Sequence, residues 1–211
     1  MRFGLDRLLQ DPALRAPLAG RRIALLAHPA SVTETLDHAL DVLAALPDSP
    51  NLQLRKAGEL EHRGDVDGAI ALYEALYEAN SDSPLLANNL ASLLASARTD
   101  AASLTRAEVI ARRLRGTEVP AFQDTYGWIA TRIGNPDEAL RYLEPASARL
   151  PDDLAVGYHL AMTYAALGRE AEALALLQKL AGRIDPARPP AFAAQLNTEL
   201  DRLEKLAGAG K

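Results

Sequence analysis

Two hydrophobic textures meet near Pro47. Before it, residues 2–9 read as a short helix that stops at Asp11-Pro12. Ile23-Ala24-Leu25-Leu26-Ala27 is then a continuous apolar run of strand length, and a run without alternation fits a strand covered on both faces. His28-Pro29 breaks it, because proline turns the preceding residue away from helical backbone. Ser31 or Thr33 caps a helix predicted over residues 34–45, with Leu36, Leu40 and Leu43 on one stripe. Strand, loop and helix make residues 1–46 a small α/β fragment, and residues 47–50 (Pro-Asp-Ser-Pro) a linker. From residue 51 to 206 apolar positions recur at helical spacing almost throughout, leaving residues 207–211 as a tail expected to fray.

The helical part repeats. Gly134 and Gly168 lie 34 residues apart, as do Ala139 and Ala173, and Gly64 and Ala69 keep the same internal spacing 70 residues before Gly134 and Ala139. Asn135-Pro136-Asp137-Glu138 is a helix start, with Asn as cap, Pro at the first helical position and carboxylates on the positive end of the dipole. Pro189-Pro190 opens a last helix over residues 191–206. Its charged residues suit a solvated end cap. Pro145 falls well inside a helix, where the missing N–H and the ring predict a kink or an early break near residues 141–144.

A period of 34 with this helix-turn-helix texture resembles the tetratricopeptide repeat. The best unit, residues 120–153, has Tyr126-Gly127 where the family has its Leu-Gly pair. Gly134 stands at its turn, Ala139 at the small contact position, Leu143 and Ala146 on the second helix, and Pro151 at the end. Residues 154–186 match with Leu160-Ala161, Tyr164, Gly168, Ala173, Leu177 and Leu180. Residues 50–83 match with Ala57, Leu60, Gly64, Ala69, Tyr73 and Leu76, but carry Lys56 where the family has an apolar residue. The unit between them has Leu90-Ala91, Leu94, Ala107, Ala111 and Leu114, with about four residues inserted around residues 99–103. The implied fold is all-α: a right-handed α-solenoid of about four helix pairs and a capping helix, with the α/β fragment appended. Solenoid repeats touch mainly their neighbours, so residues 1–32 are expected to be dispensable for the stack.

In that family the first helix of each pair lines a concave groove. The matching positions are Leu85, Asn88, Ser92 and Ala95; Ala121, Asp124, Trp128 and Thr131; and Ala155, Tyr158, Met162 and Ala165. Asn88, Asn89, Ser92, Asp124, Trp128, Tyr158 and Met162 are the candidate peptide-binding set, mixing polar, aromatic and flexible side chains. Trp128 and Met162 serve equally well as inter-helix core. The version of the groove that clamps a terminal carboxylate is not matched. Asn89 has a counterpart there, but Leu54 and Gly58 stand where that version has Lys and Asn, and Ala121 and Thr125 where it has Lys and Arg.

Gly4-Leu5-Asp6, with residues 20–33 (Gly-Arg-Arg-Ile-Ala-Leu-Leu-Ala-His-Pro-Ala-Ser-Val-Thr), is similar to the amino-terminal end of the bacterial exo-β-N-acetylmuramidase family. The remaining strands and acidic residues of such an enzyme have no counterpart here, so the resemblance implies a truncated or fused remnant.

Composition narrows the chemistry. The 28 acidic residues exceed the 23 basic ones, for a net charge of −5, which argues against a nucleic-acid surface. Arg112, Arg113 and Arg115 read as one exposed helix end. There is no cysteine, so disulfides, thiolate metal sites and a cysteine nucleophile are excluded. His28, His38, His62 and His159 stand at no metal-ligand spacing and read as solvated or partly packed side chains. His28, Ser31 and Asp37 are the nearest approach to a nucleophilic triad, without the geometry of one. Asp65-Asp67 and Asp152-Asp153 read as helix caps. No catalytic, metal or cofactor site is predicted, and no apolar run approaches the ~20 residues of a bilayer span. The expected protein is a cytoplasmic, non-catalytic scaffold that binds a protein or peptide in its groove. A cell-wall hydrolase remnant and a self-assembling homo-oligomer are the alternative readings.

Overall fold

The computed structural model describes residues 12–15 and 50–209. The strand at 23–27, the helix at 34–45 and the muramidase-like fragment they compose lie outside the described residues. Pro12–Arg15 form one helical turn, and all other regular structure among the described residues is helical as well. The chain divides into two compact units, with the boundary between Ser81 and Asp82.

Among the described residues from 50 on, the first unit holds one helix pair, α1 (Pro50–His62) and α2 (Val66–Ala79). Ala57 and Ala69 are fully buried where the two pack together. Tyr73 is 3% exposed and donates its hydroxyl hydrogen bond to Glu61 at 3.4 Å.

The second unit holds three pairs and a last helix. They are α3 (Pro84–Ala97) with α4 (Ala101–Ala111), α5 (Pro120–Arg132) with α6 (Pro136–Arg149), α7 (Leu154–Ala166) with α8 (Glu170–Ala181), and α9 (Ala193–Ala209). Each first helix packs on its own second helix. Successive first helices also touch, α3 on α5 and α5 on α7, and α9 packs on α8. This is the stacking that lets helix pairs too small for a core of their own share one.

The glycine period has a direct cause. Gly64 and Gly134 take φ of 80° and 85°, the left-handed region that ends a helix without Cβ strain. At Gly134 the chain turns with two nested bonds, Gly134 N–H to Thr131 O at 3.1 Å and Asn135 N–H to Ala130 O at 2.8 Å, which satisfy carbonyls the helix end leaves orphaned. The same bond pair recurs at Gly64 and Gly168. The α3–α4 connection lacks the motif. There Arg98 is extended, and Asp100 caps α4 by accepting from Ser103 N–H at 2.8 Å, so the inserted residues replace the glycine turn.

Close helix contact explains the small residues. Ala91, Ala107, Ala139, Ala161 and Ala173 are fully buried. Gly127 sits so near α6 that a Cβ there would lie 2.6 Å from Leu143 Cγ and 3.1 Å from the Ala139 carbonyl. Leu143 and Leu177, both fully buried, fill the space between helices. Asp65 accepts from Gly68 N–H at 3.0 Å, and Asp153 from Ala155 N–H at 2.9 Å, so both cap as expected.

Three local expectations are corrected. α6 shows no early break at Pro145: it is one helix to Arg149, and Leu150 N–H bonds to Ala146 O at 2.9 Å. Leu143 and Ala146, on either side of the proline, are both fully buried, and their packing offsets the one missing bond. Asn135 occupies the cap of α6 without a side-chain bond; its carbonyl alone accepts from Ala139 N–H at 3.1 Å. α9 begins two residues later than the Pro189-Pro190 start suggests and continues through Ala209, so residues 207–209 are helical. Leu196 and Leu203, 0% and 2% exposed, tie its inner face down.

Candidate functional site

The predicted groove positions lie on α3, α5 and α7, and α5 packs on both of the others. On α3, Asn88, Asn89 and Ser92 are half-buried, and Asn88 donates its amide to Asn89 Oδ1 at 3.2 Å. Leu85 at the start of the stripe is 46% exposed, and Ala95 at its end is fully buried.

On α5 the stripe turns inward. Trp128 is 7% exposed, its ring stacked on His159 at 4.3 Å and 11° and tilted against Tyr158 at 5.8 Å. The Arg132 guanidinium lies 5.5 Å above the same indole and donates to the carbonyls of Ala95 and Arg98 on α3. Asp124 faces α7, where its carboxylate meets His159 Nδ1 at 2.9 Å, the two side chains 13% and 10% exposed. Further along the same seam, the Thr131 and Thr163 hydroxyls pair at 2.7 Å. Trp128 therefore belongs to the seam between α5 and α7 and not to an open surface.

On α7, Tyr158 is 6% exposed, and burial raises its pKa, with Glu199 adding to the rise and Arg132 opposing it. Phe192 lies parallel to Tyr158 at 4.6 Å and 10°. Met162 remains half-buried beside this stack's helix. Among the described residues, the buried side-chain atoms Asn88 Oδ1, Gln123 Oε1 and Trp128 Nε1 have no hydrogen-bond partner. The arrangement is a hydrogen-bonded and aromatic wall with half-buried Asn88, Asn89, Ser92, Thr131 and Met162 beside it. It holds no nucleophile–base pair, and among the described residues no three His, Cys, Asp or Glu side chains stand where they would hold a metal.

Family models for the tetratricopeptide repeat match residues 35–84 and residues 133–196, together more than half of the chain. The chain is a tetratricopeptide-repeat protein. Its fold resembles that of TTC0263, a thermophilic tetratricopeptide-repeat protein of Thermus thermophilus, at 20% identity over 78% of this chain and 88% of that one, with a TM-score of 0.54. It also resembles the nearly identical repeats of a Podosopora anserina putative kinesin light chain, at 18% identity over 76% of this chain and 89% of that one, with a TM-score of 0.51. No curated protein matches the sequence. Repeats of this family are protein-interaction scaffolds and are generally non-catalytic. No helix among the described residues is long and apolar enough to cross a membrane.

Two residues of this face escape a search by groove position. His159 follows Asp124 by 35 residues, one period plus one, so it is the next position along that meets the carboxylate across the seam. Phe192 follows Tyr158 by 34 residues, as Tyr158 follows Asp124; carrying the period past the fourth pair finds it. The arginine cluster is an exposed helix end as expected, with Arg112 on Glu108, Arg113 on Asp82 and Arg115 on Glu138.

Proposed function

We propose that this tetratricopeptide-repeat protein is a non-catalytic scaffold that binds an extended peptide or partner segment along α3, α5 and α7 of its second unit. The observation that carries the reading is the division of labour on that face. Trp128, Asp124, His159 and Arg132 are tied to one another across the helix seams, while Asn88, Asn89, Ser92 and Met162 stay half-buried along the rim. A pre-organised wall loses little entropy on binding, and amide, hydroxyl and thioether groups suit main-chain hydrogen bonds and adaptable apolar contact. Few formal charges lie on the rim, so a peptide chosen for shape and backbone fits it better than an acidic tail.

Peptide-display selection against the full chain, followed by titration calorimetry, tests this. Ser92→Arg should weaken the selected peptide at least about tenfold, the equivalent of ~1.4 kcal/mol. Arg141→Ala, on the exposed side of α6, should leave affinity within about twofold, as expected outside a contact surface. The reverse ordering would place the binding surface on the second helices and end the reading.

A further inference from the structure

The connection from α8 to α9 leads the chain back to the face just described. Within residues 184–192, Ile184, Pro190 and Phe192 are half-buried and the other six are exposed. Pro186, Pro189 and Pro190 have no N–H to donate. Every backbone bond made by residues 182–193 is local: Ile184 N–H to Ala181 O at 3.4 Å, Arg188 N–H to Asp185 O at 3.0 Å and Ala193 N–H to Pro190 O at 2.9 Å are representative. The segment is fixed at one end by Arg183, which donates to the Pro151 and Asp152 carbonyls, and at the other by the buried Leu196 and Leu203 of α9. Between those anchors its aromatic contact is Phe192 on Tyr158, at 4.6 Å and 10°.

Phe192 thus stands at the same repeat position as Asp124 and Tyr158, but ahead of α9 (Ala193–Ala209) on a strap and not within a helix. Tyr158 is a predicted ligand contact whose ring face is already taken by a proline-flanked aromatic residue of the same chain. We propose that residues 184–192 are a built-in occupant of the Tyr158 end of the groove, displaced when an extended partner segment presents an aromatic side chain there; the inference rests on the peptide-binding reading above. The tether keeps Phe192 at high effective concentration. Only a segment that also engages the rim at Asn88, Ser92 or Met162 outcompetes it, so the strap sets a threshold that favours long, aromatic-bearing partners over short ones.

The test uses the full chain and a fluorescein-labelled peptide copying residues 184–195, read by fluorescence anisotropy. Phe192→Ala vacates the Tyr158 face and should bind this peptide at least about tenfold more tightly than the unaltered chain does, as expected when a tethered competitor is removed. The same peptide with Ala in place of its Phe should bind neither protein. Far-UV circular dichroism checks that the variant folds. Phe192→Leu, which keeps apolar volume but loses ring stacking, gives an intermediate gain and replaces it if it does not. Equal binding by the variant and the unaltered chain, binding by neither, or binding that ignores the peptide's Phe would each overturn the proposal. Because the probe is the chain's own segment, a selected peptide that fails to bind the rim would sink the scaffold reading without changing this result.

Discussion

Glycines at two first helices should respond to the same substitution with opposite signs. Replacing a mid-helix glycine by alanine gains about 1 kcal/mol of helix propensity. Gly58, in α1, has room for this: among the described residues a Cβ there meets only the Tyr73 hydroxyl, at 3.7 Å, so Gly58→Ala should stabilise by about 1 kcal/mol. Gly127, in α5, has none. Its Cβ would lie 2.6 Å from Leu143 Cγ, 3.2 Å from Leu143 Cδ2 and 3.1 Å from the Ala139 carbonyl. Leu143 is fully buried in a cluster with Ala130, Ala139 and Leu160, packed on by Leu140, Tyr164 and Leu176, so it has nowhere to retreat. Overpacking of this kind costs about 1–3 kcal/mol. With backbone as well as side chain in the way, the upper part of that range applies, and Gly127→Ala should be destabilising by about 1–2 kcal/mol net. For a chain of this size that lowers the melting temperature by roughly 2–4 °C per kcal/mol. Urea unfolding followed by Trp128, the single tryptophan, reads the second unit, and hydrogen exchange of the α1 and α2 amides reads the first. A stabilised Gly127→Ala protein would refute the claim that α5 and α6 are in backbone contact there.

Trp128→Ala should cost about 3–5 kcal/mol, as loss of a buried ring does, and Asp124→Ala about 1–3 kcal/mol for stripping a buried imidazole of its partner; urea midpoints by circular dichroism check both, and a neutral Trp128→Ala would mean an exposed ring. Burial, then the hydrogen bond to Glu138, pushes the Tyr126 phenol up to about 12. In the unfolded chain it ionises near 10, so its contribution is intact below pH 10 and is lost between about 10 and 12. Tyr126→Phe should flatten that slope in urea midpoints taken from pH 9 to 11, and an unchanged slope would exclude Tyr126 as its source. Pro145→Ala restores the N–H that Arg141 O lacks and should stabilise by about 1–3 kcal/mol, unless melting shows no gain, in which case the carbonyl already has another partner.

Much of the fold was legible because the repeat's demands are local. A left-handed residue follows α1, α5 and α7, which writes Gly64, Gly134 and Gly168 into the sequence, and close helix contact writes the buried alanines. Boundaries that depend on packing were not legible. Pro145 stays in helix because Leu143 and Ala146 are held by neighbours that no local rule foresees, and α9 runs on to Ala209 beyond its buried Leu203. The candidate face was legible as a stripe but not as a surface. Positions along that stripe serve both the rim and the seam between first helices, and only the packing of α3, α5 and α7 on one another decides that Trp128 stacks on His159 while Ser92 stays half-buried. Phe192 lies one period after Tyr158, but it precedes α9 and stands outside any first helix, so the groove stripe does not include it.

Site-specific photo-crosslinking tests the central claim most directly. A benzophenone side chain is placed singly at Ser92, at Met162, at Arg141 on α6 and at Lys179 on α8, and each protein is irradiated with a peptide selected for binding to the full chain. The account predicts crosslinked peptide from Ser92 and Met162 and none from Arg141 or Lys179. Crosslinks confined to Arg141 or Lys179 would contradict it and move the interaction surface to the opposite helices.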